Sequence, residues 1–217
     1  MLIDIHSHHS LPYPEGMVSL PATRLPAPDL WPGQLYSVGI HPWDVKASGV
    51  SPEFREKLEE AACRPDVVAI GECGLDPAHP GAAPMFAQML ALRLQIELSE
   101  KVGKPLILHC VKCWNEIIGL RKDLQACQPW VVHGFRGKPE ILQSLLRAGI
   151  RVSFGERFNP ESLKAIPAEF LLAETDASPL PIGEILALQS AVRPEITPAL
   201  LERNTDFLLR RAGCVKT

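Results

Sequence analysis

Six side chains of metal-binding type stand where apolar runs stop: His6 and His8 in LIDIHSH, Glu72 in VVAIGE, His109 in LILH, His133 in WVVH and Asp176 in FLLAETD. Imidazole nitrogen suits transition metals, a carboxylate can bridge two cations with its two oxygens, and an aspartate can also take a proton. Such a set could carry out metal-assisted hydrolysis. A pair like His6 and His8, taken alone, is more often an ordinary polar strand end than a half-site. The repetition carries the expectation: five of the seven histidines (6, 8, 41, 109 and 133) fall at such ends.

These residues need elements to position them. A strand buried on both faces reads as a continuous apolar stretch. A polar residue at the carboxyl end of successive parallel strands is how α/β proteins build a site. Seven strand-like segments are expected: Leu2–His6, Gln34–His41, Asp66–Glu72, Pro105–His109, Pro129–His133, Ile150–Phe154 and Phe170–Thr175. Helices are expected from Ser51 to Cys63, Ala83 to Val102, Trp114 to Ala126, Lys138 to Ala148, Ile182 to Val192 and Thr197 to Arg211. Ser51 and Thr197 precede prolines as N-caps, and Gly103 and Gly149 supply C-terminal stops. Phe86, Leu90, Leu94 and Leu98 recur every four residues as a stripe for the sheet. Strand and helix in strict alternation imply parallel pairing with right-handed crossovers.

One stretch breaks the pattern. Leu11–Pro32 holds six prolines (12, 14, 21, 26, 28 and 32), a density that forbids a normal helix. An extended arm is expected there, with at most a short edge strand at Met17–Leu20.

Composition narrows the class. With 217 residues, 46% of them hydrophobic, the chain can fill a sizeable core as one domain. The net charge of −3 gives no bulk attraction to nucleic acid, so any grip on phosphate must be local. The beginning lacks a basic, apolar leader and no run is long enough to span a membrane, so a cytoplasmic protein without a membrane segment is expected. The six cysteines (63, 73, 110, 113, 127 and 214) form no disulfide framework and are expected to be reduced.

Strand alternation puts His6 and His8 on one face with Ser7 opposite, and leaves His9 as a turn residue. Cys73 and Cys110 each follow a proposed ligand and should face the core. Cys110 and Cys113, a single CxxC straddling strand and helix, are taken as incidental. Lys112, Arg136 and Arg157 fall in loops after site strands, and Arg136 is the best placed to grip a phosphate.

In chain order, DIHSHHS, VGIHPWD, AIGECGLD, KPLILHC, VVHGFRG, IRVSFG and LAETDASPL resemble the TatD family of metal-dependent deoxyribonucleases, within the wider group of amidohydrolase-like barrels. The likeness runs from residue 4 to residue 180, and ERNTDFLLRR is similar to the family's closing helix. It implies an α/β fold, a distorted TIM-type (β/α) barrel over residues 1–217, with one strand–helix unit near the N-terminus reduced or missing. It also implies two divalent ions: His6, His8 and Asp176 hold one, His109 and His133 the other, and Glu72 bridges them. His41 then belongs to the wall of the site as a phosphate or leaving-group contact, and Trp43 offers an indole on which a base can stack.

The resemblance is incomplete. His8 and His41 are only thirty-three residues apart, Pro77, Ala78 and His79 replace the family's usual aromatic pair, and the segment after Asp176 is short. The expected reaction is hydrolysis of a phosphodiester of DNA, from single-stranded or frayed ends, with no obligate protein partner. The ions (zinc, manganese or magnesium) would acidify water, with Glu72 and Asp176 as catalytic carboxylates and Asp176 as the proton carrier. The alternatives are a dinuclear hydrolase of an amide, ester or lactone, and a degenerate barrel that only binds.

Overall fold

The structure, a computed structural model, describes residues 2–25 and 30–211. Pro26, Pro28 and Cys214 lie outside the described residues. Eight parallel strands close into a barrel in chain order: β1 (Asp4–Ser7), β2 (Gly16–Pro21), β3 (Leu35–Gly39), β4 (Val67–Leu75), β5 (Leu106–Cys110), β6 (Trp130–Val132), β7 (Ile150–Phe154) and β8 (Leu171–Ala173). The helices are α1 (Pro52–Ala62), α2 (Met85–Val102), α3 (Trp114–Asp123), α4 (Pro139–Arg147), α5 (Pro160–Ala165), α6 (Ile182–Val192) and α7 (Pro198–Arg211).

The unit expected to be reduced or missing keeps its strand, which is no edge strand but closes the barrel. Gly16–Pro21 is a full barrel strand, paired in parallel with β1 on one side and β3 on the other. Prolines 12 and 14 precede it and Pro21 is its last residue, so the interior keeps every N–H for the ladder. What that unit lacks, among the described residues, is its helix. Among the described residues, the β2–β3 connection carries a 3-10 turn at Ala22–Arg24 and nothing longer.

Two cores hold the barrel. Ile5, Met17, Ala69, Ile107, Val131 and Leu172 form one cluster with Leu208 of α7. Strands on opposite sides of a closed sheet meet only in its interior, so this cluster is the barrel filling. The larger cluster lies between strands and helices and includes Leu58, Leu92, Ile117, Trp130, Leu145 and Leu201.

The four-residue stripe on α2 is also corrected. Phe86 and Leu90 are 63% and 60% exposed, while Ala87, Gln88, Ala91, Leu92, Gln95, Ile96, Leu98 and Ser99 are buried. A close approach of helix to sheet favours small residues, and the two glutamines are buried because they serve strand ends. Gln95 accepts from Ile40 N–H (2.7 Å) and donates to Ile40 C=O (3.2 Å). Gln88 accepts from Asp76 N–H at 2.8 Å and donates to Ala83 C=O at 2.9 Å. Both clamps fix backbone next to the mouth of the barrel. Helix α5, opened by Asn159 accepting from Glu161 and Ser162 N–H, was not expected from the sequence.

No helix among the described residues is long and apolar enough to cross a membrane.

Candidate metal centre

The carboxyl ends of the strands bring all six expected donors together around Glu72. One Glu72 oxygen, Oε2, lies 3.3 Å from His6 Nε2 and 3.5 Å from His8 Nε2. The other, Oε1, meets His133 Nε2 at 2.7 Å, His109 Nδ1 at 2.8 Å and His41 Nε2 at 3.2 Å. Asp176 Oδ1 stands 3.7 Å from His6 Nε2 and 3.6 Å from His8 Nε2. One carboxylate thus divides the imidazoles into two sets. Three groups of donor atoms, each within 4.8 Å, are able to hold an ion: His6, His133 and Asp176; His6, His8 and Glu72; His41, Glu72 and His109.

The largest departure from the expected strand ends is at β4, three residues, against at most two elsewhere. β4 does not stop at Glu72 but continues through Cys73, Gly74 and Leu75, with a register shift against β5 between Ile70 and Cys73. A Cβ on Gly74 would overlap the His109 carbonyl oxygen, so only glycine lets the two strands run together past the site. Asp176 reaches the centre because its N–H donates to His6 C=O and its own C=O accepts from His8 N–H. Beneath it, Asp4 accepts from His6 N–H and Thr175 N–H through one oxygen, and from the Tyr13 and Thr175 hydroxyls through the other. Burial raises the Asp4 carboxyl to about 7 against these hydrogen bonds.

Electrostatics follow the geometry. Burial alone would raise the Glu72 carboxyl. Attraction to His133 and the hydrogen bonds of His109, His133 and His41 outweigh it and hold the group well below the usual carboxylate range. Burial pushes His133 down, but Glu72 and Glu174 pull it well above an ordinary histidine. His6 is lowered by burial and by the neighbouring His133.

His6 gives the clearest test of whether this set suits an ion. Its side chain is sealed from solvent, Nδ1 has no partner, and Nε2 has the carboxylates of Glu72 and Asp176 beside it at 3.3 and 3.7 Å without a hydrogen bond to either. Such an imidazole is costly unless something binds it. A cation on Nε2, beside Glu72 and His8, would supply the partner, and nitrogen–carboxylate donors suit zinc or manganese.

Two residues of the site were not singled out from the sequence. Asp76 Oδ2 lies 3.1 Å from His109 Nε2 and accepts from Trp43 Nε1 at 2.8 Å. Glu174 Oε1 lies 3.5 Å from His133 Nδ1. The signal for both was their position at strand ends, in AIGECGLD and LAETD.

The expected substrate contacts separate. His41 joins the donor set, and its Nδ1 accepts from Trp43 N–H at 3.1 Å. Trp43 lines the same cavity of about 350 Å³, with His79 stacked on the indole at 4.1 Å and 17°. Arg136 lines a neighbouring cavity that shares Asp176. His9 packs on Tyr13 at 4.8 Å, Cys73 is buried, and Cys110 is half-buried with its thiol pushed up to about 12 by burial.

A closed barrel of eight parallel strands with histidines and carboxylates gathered at its C-terminal mouth defines a TIM-type barrel of the metal-site class. The chain belongs to the TatD-related DNase family, whose match covers residues 29–205. It is 36% identical over 150 residues to a Klebsiella pneumoniae (strain 342) protein named 3'-5' ssDNA/RNA exonuclease TatD, covering 65% of this chain and 56% of that one. It is 31% identical over 190 residues to the protein of the same name from Escherichia fergusonii, covering 82% of this chain and 72% of that one. The match to the Klebsiella protein therefore spans little more than half of that relative's length. Among solved structures, the TatD homologue YJJV of Escherichia coli K12 shares the fold with a TM-score of 0.75 at 22% identity, over 97% of this chain and 95% of that one. A TatD-family hydrolase of Entamoeba histolytica does so with a TM-score of 0.69 at 18% identity, over 97% and 96%.

Proposed function

We propose that this chain is a metal-dependent phosphodiesterase that removes nucleotides from the ends of single-stranded DNA, using two divalent ions. The observation that carries this reading is the Glu72 carboxylate, with Oε2 beside His6 and His8 and Oε1 beside His41, His109 and His133. His6, His8 and Asp176 would hold one ion, His109 and His133 the other, and Glu72 both. Bound there, the ions would supply Lewis acidity, neutralising charge on phosphoryl oxygens and making water more acidic.

The remaining work falls to side chains. Asp176, 31% exposed at the edge of the centre, can take a proton from the attacking water and return it to the leaving oxygen. His41 accepts from Trp43 N–H through Nδ1, so its hydrogen sits on Nε2 and points to Glu72. With Glu72 engaged by the ions, that N–H would be free to donate to a phosphoryl or leaving-group oxygen. Trp43, 52% exposed and backed by His79, offers a stacking face for a base. The names of the relatives, 3'-5' ssDNA/RNA exonuclease TatD, support strand ends as substrate and add RNA as a second candidate. The free cysteines and the lack of a membrane-crossing helix among the described residues accord with a cytoplasmic enzyme.

The test joins metal analysis by mass spectrometry to hydrolysis of labelled single-stranded DNA, a simple phosphodiester, an ester and a lactone. Two ions per chain and cleavage of the phosphodiesters are expected. Turnover of the ester or lactone alone would overturn the proposal.

A further inference from the structure

Beside the metal centre lies a second cavity of about 190 Å³. Its walls come from three loops: Gly134 and Arg136 after β6, Gly155, Glu156 and Arg157 after β7, and the segment from Glu174 to Pro179 after β8. The first cavity sits over the other side of the mouth, with His41, Trp43 and His109 in its wall. The two share Asp176 and Ala177.

Arg136 and Arg157 are exposed, and neither makes a hydrogen bond or ion pair among the described residues. Among the described residues Arg55, Arg64 and Arg210 each close on a nearby carboxylate while Arg24, Arg93, Arg147 and Arg203 do not, so what sets Arg136 and Arg157 apart is the groove they share. The carboxylates of the groove are otherwise engaged. Glu156 accepts from the Ser178 hydroxyl at 2.8 Å. Glu174 is buried and accepts from Gly134 N–H and from the Ser153 hydroxyl. Asp176 belongs to the donor cluster around Glu72. Two guanidiniums are therefore left facing the groove in a protein whose overall charge is −3. Paired guanidinium forks match the planar oxygens of a phosphate.

We infer that this groove is a phosphate subsite, and that Arg136 and Arg157 hold the backbone phosphate next to the scissile one. This rests on the phosphodiesterase reading of the centre. The first cavity, at about 350 Å³, is at the small end for ligand pockets and has room for one nucleotide unit. The rest of a strand has to leave it. Asp176 and Ala177 line both cavities, so a route across Asp176 leads to the groove that holds the arginines. A terminal base on Trp43 and a following phosphate on the arginines give the bound strand a direction.

The test measures how affinity depends on length and salt. Metal-loaded protein is titrated with fluorescein-labelled thymidine dimer and hexamer, linked by cleavage-resistant phosphorothioates, and followed by anisotropy. Wild type should bind the hexamer at least tenfold more tightly than the dimer. The Arg136→Ala/Arg157→Ala double variant should lose that gain, and its log K against log salt slope should fall by about 0.7, the value for one phosphate contact of a single strand. Single Arg157→Lys, which keeps the charge, should restore part of the gain, and it guards against misfolding of the double variant. Equal affinity for dimer and hexamer in wild type, or an unchanged hexamer affinity in the double variant, overturns the subsite. Binding that depends on the arginines, without hydrolysis of an unmodified strand, would sink the phosphodiesterase reading and leave the subsite standing.

Discussion

Glu174 stands behind His133. Its Oε1 lies 3.5 Å from His133 Nδ1 and accepts Gly134 N–H at 2.5 Å, while the Ser153 hydroxyl holds the other oxygen. The opposite ring nitrogen, Nε2, lies 2.7 Å from Glu72 Oε1. A carboxylate behind a metal-type imidazole fixes its orientation and raises its basicity. Glu174→Gln keeps the volume but removes the charge, and affinity for manganese or zinc should fall by about 10–100-fold. Titration of metal-free protein reads this directly. An unchanged affinity, with unfolding also unchanged, would strip Glu174 of any role in setting the ring.

Gln95 bonds both backbone groups of Ile40, the residue before His41. Replacing it with leucine leaves a buried N–H and C=O without partners, at about 1–3 kcal/mol for each orphaned group. The denaturant midpoint of Gln95→Leu should drop accordingly, and KM should rise as His41 loosens. A midpoint equal to wild type would mean that water takes over both bonds.

These glutamines also show where the sequence stopped being readable. The helix itself was legible, with its end at Gly103, but its inward face was not. Period-four residues suggested a stripe of which Leu98 is buried, whereas the rest of the face laid on the sheet mixes Leu92 and Ile96 with alanines and glutamines that allow close approach and bond strand ends. β2 was obscured for a related reason: prolines 12, 14 and 21 bracket four good strand residues, and only closure of the barrel gives them two neighbours. The donors were legible because each ends an apolar run. Asp76 and Glu174 were not, because their work is done on other ligands across strands far apart in the chain.

Gly39 and Gly119 make a contrasting pair. A Cβ on Gly39 would stand 2.7 Å from Gly71 Cα and from the Glu72 carbonyl oxygen. Overpacking of that kind costs about 1–3 kcal/mol, and the strain falls on the strand that carries Glu72. Gly39→Ala should weaken metal binding as well as stability. Gly119 lies inside α3 with nothing within 4 Å of a new Cβ, so Gly119→Ala should stabilise the chain by about 0.5–1 kcal/mol without touching metal affinity. Thermal unfolding and metal titration of both variants check the pair; similar behaviour of the two would refute the steric argument.

Removing metal should soften the whole mouth of the barrel. Around Glu72 the chain has crowded five imidazoles and the Asp176 carboxylate, and it leaves the buried His6 ring without a hydrogen-bond partner. An ion that binds only the folded state, present at about 100 times its Kd, stabilises by about 2.7 kcal/mol. For a chain of this size, each kcal/mol moves Tm by about 2–4 °C. Stripping with EDTA should therefore lower Tm by about 5–11 °C, and manganese or zinc should restore it. In Glu72→Ala, with the shared carboxylate gone, the same additions should do little. A wild-type Tm that ignores both chelator and metal would mean that the cluster stands folded by its own hydrogen bonds and holds no ion.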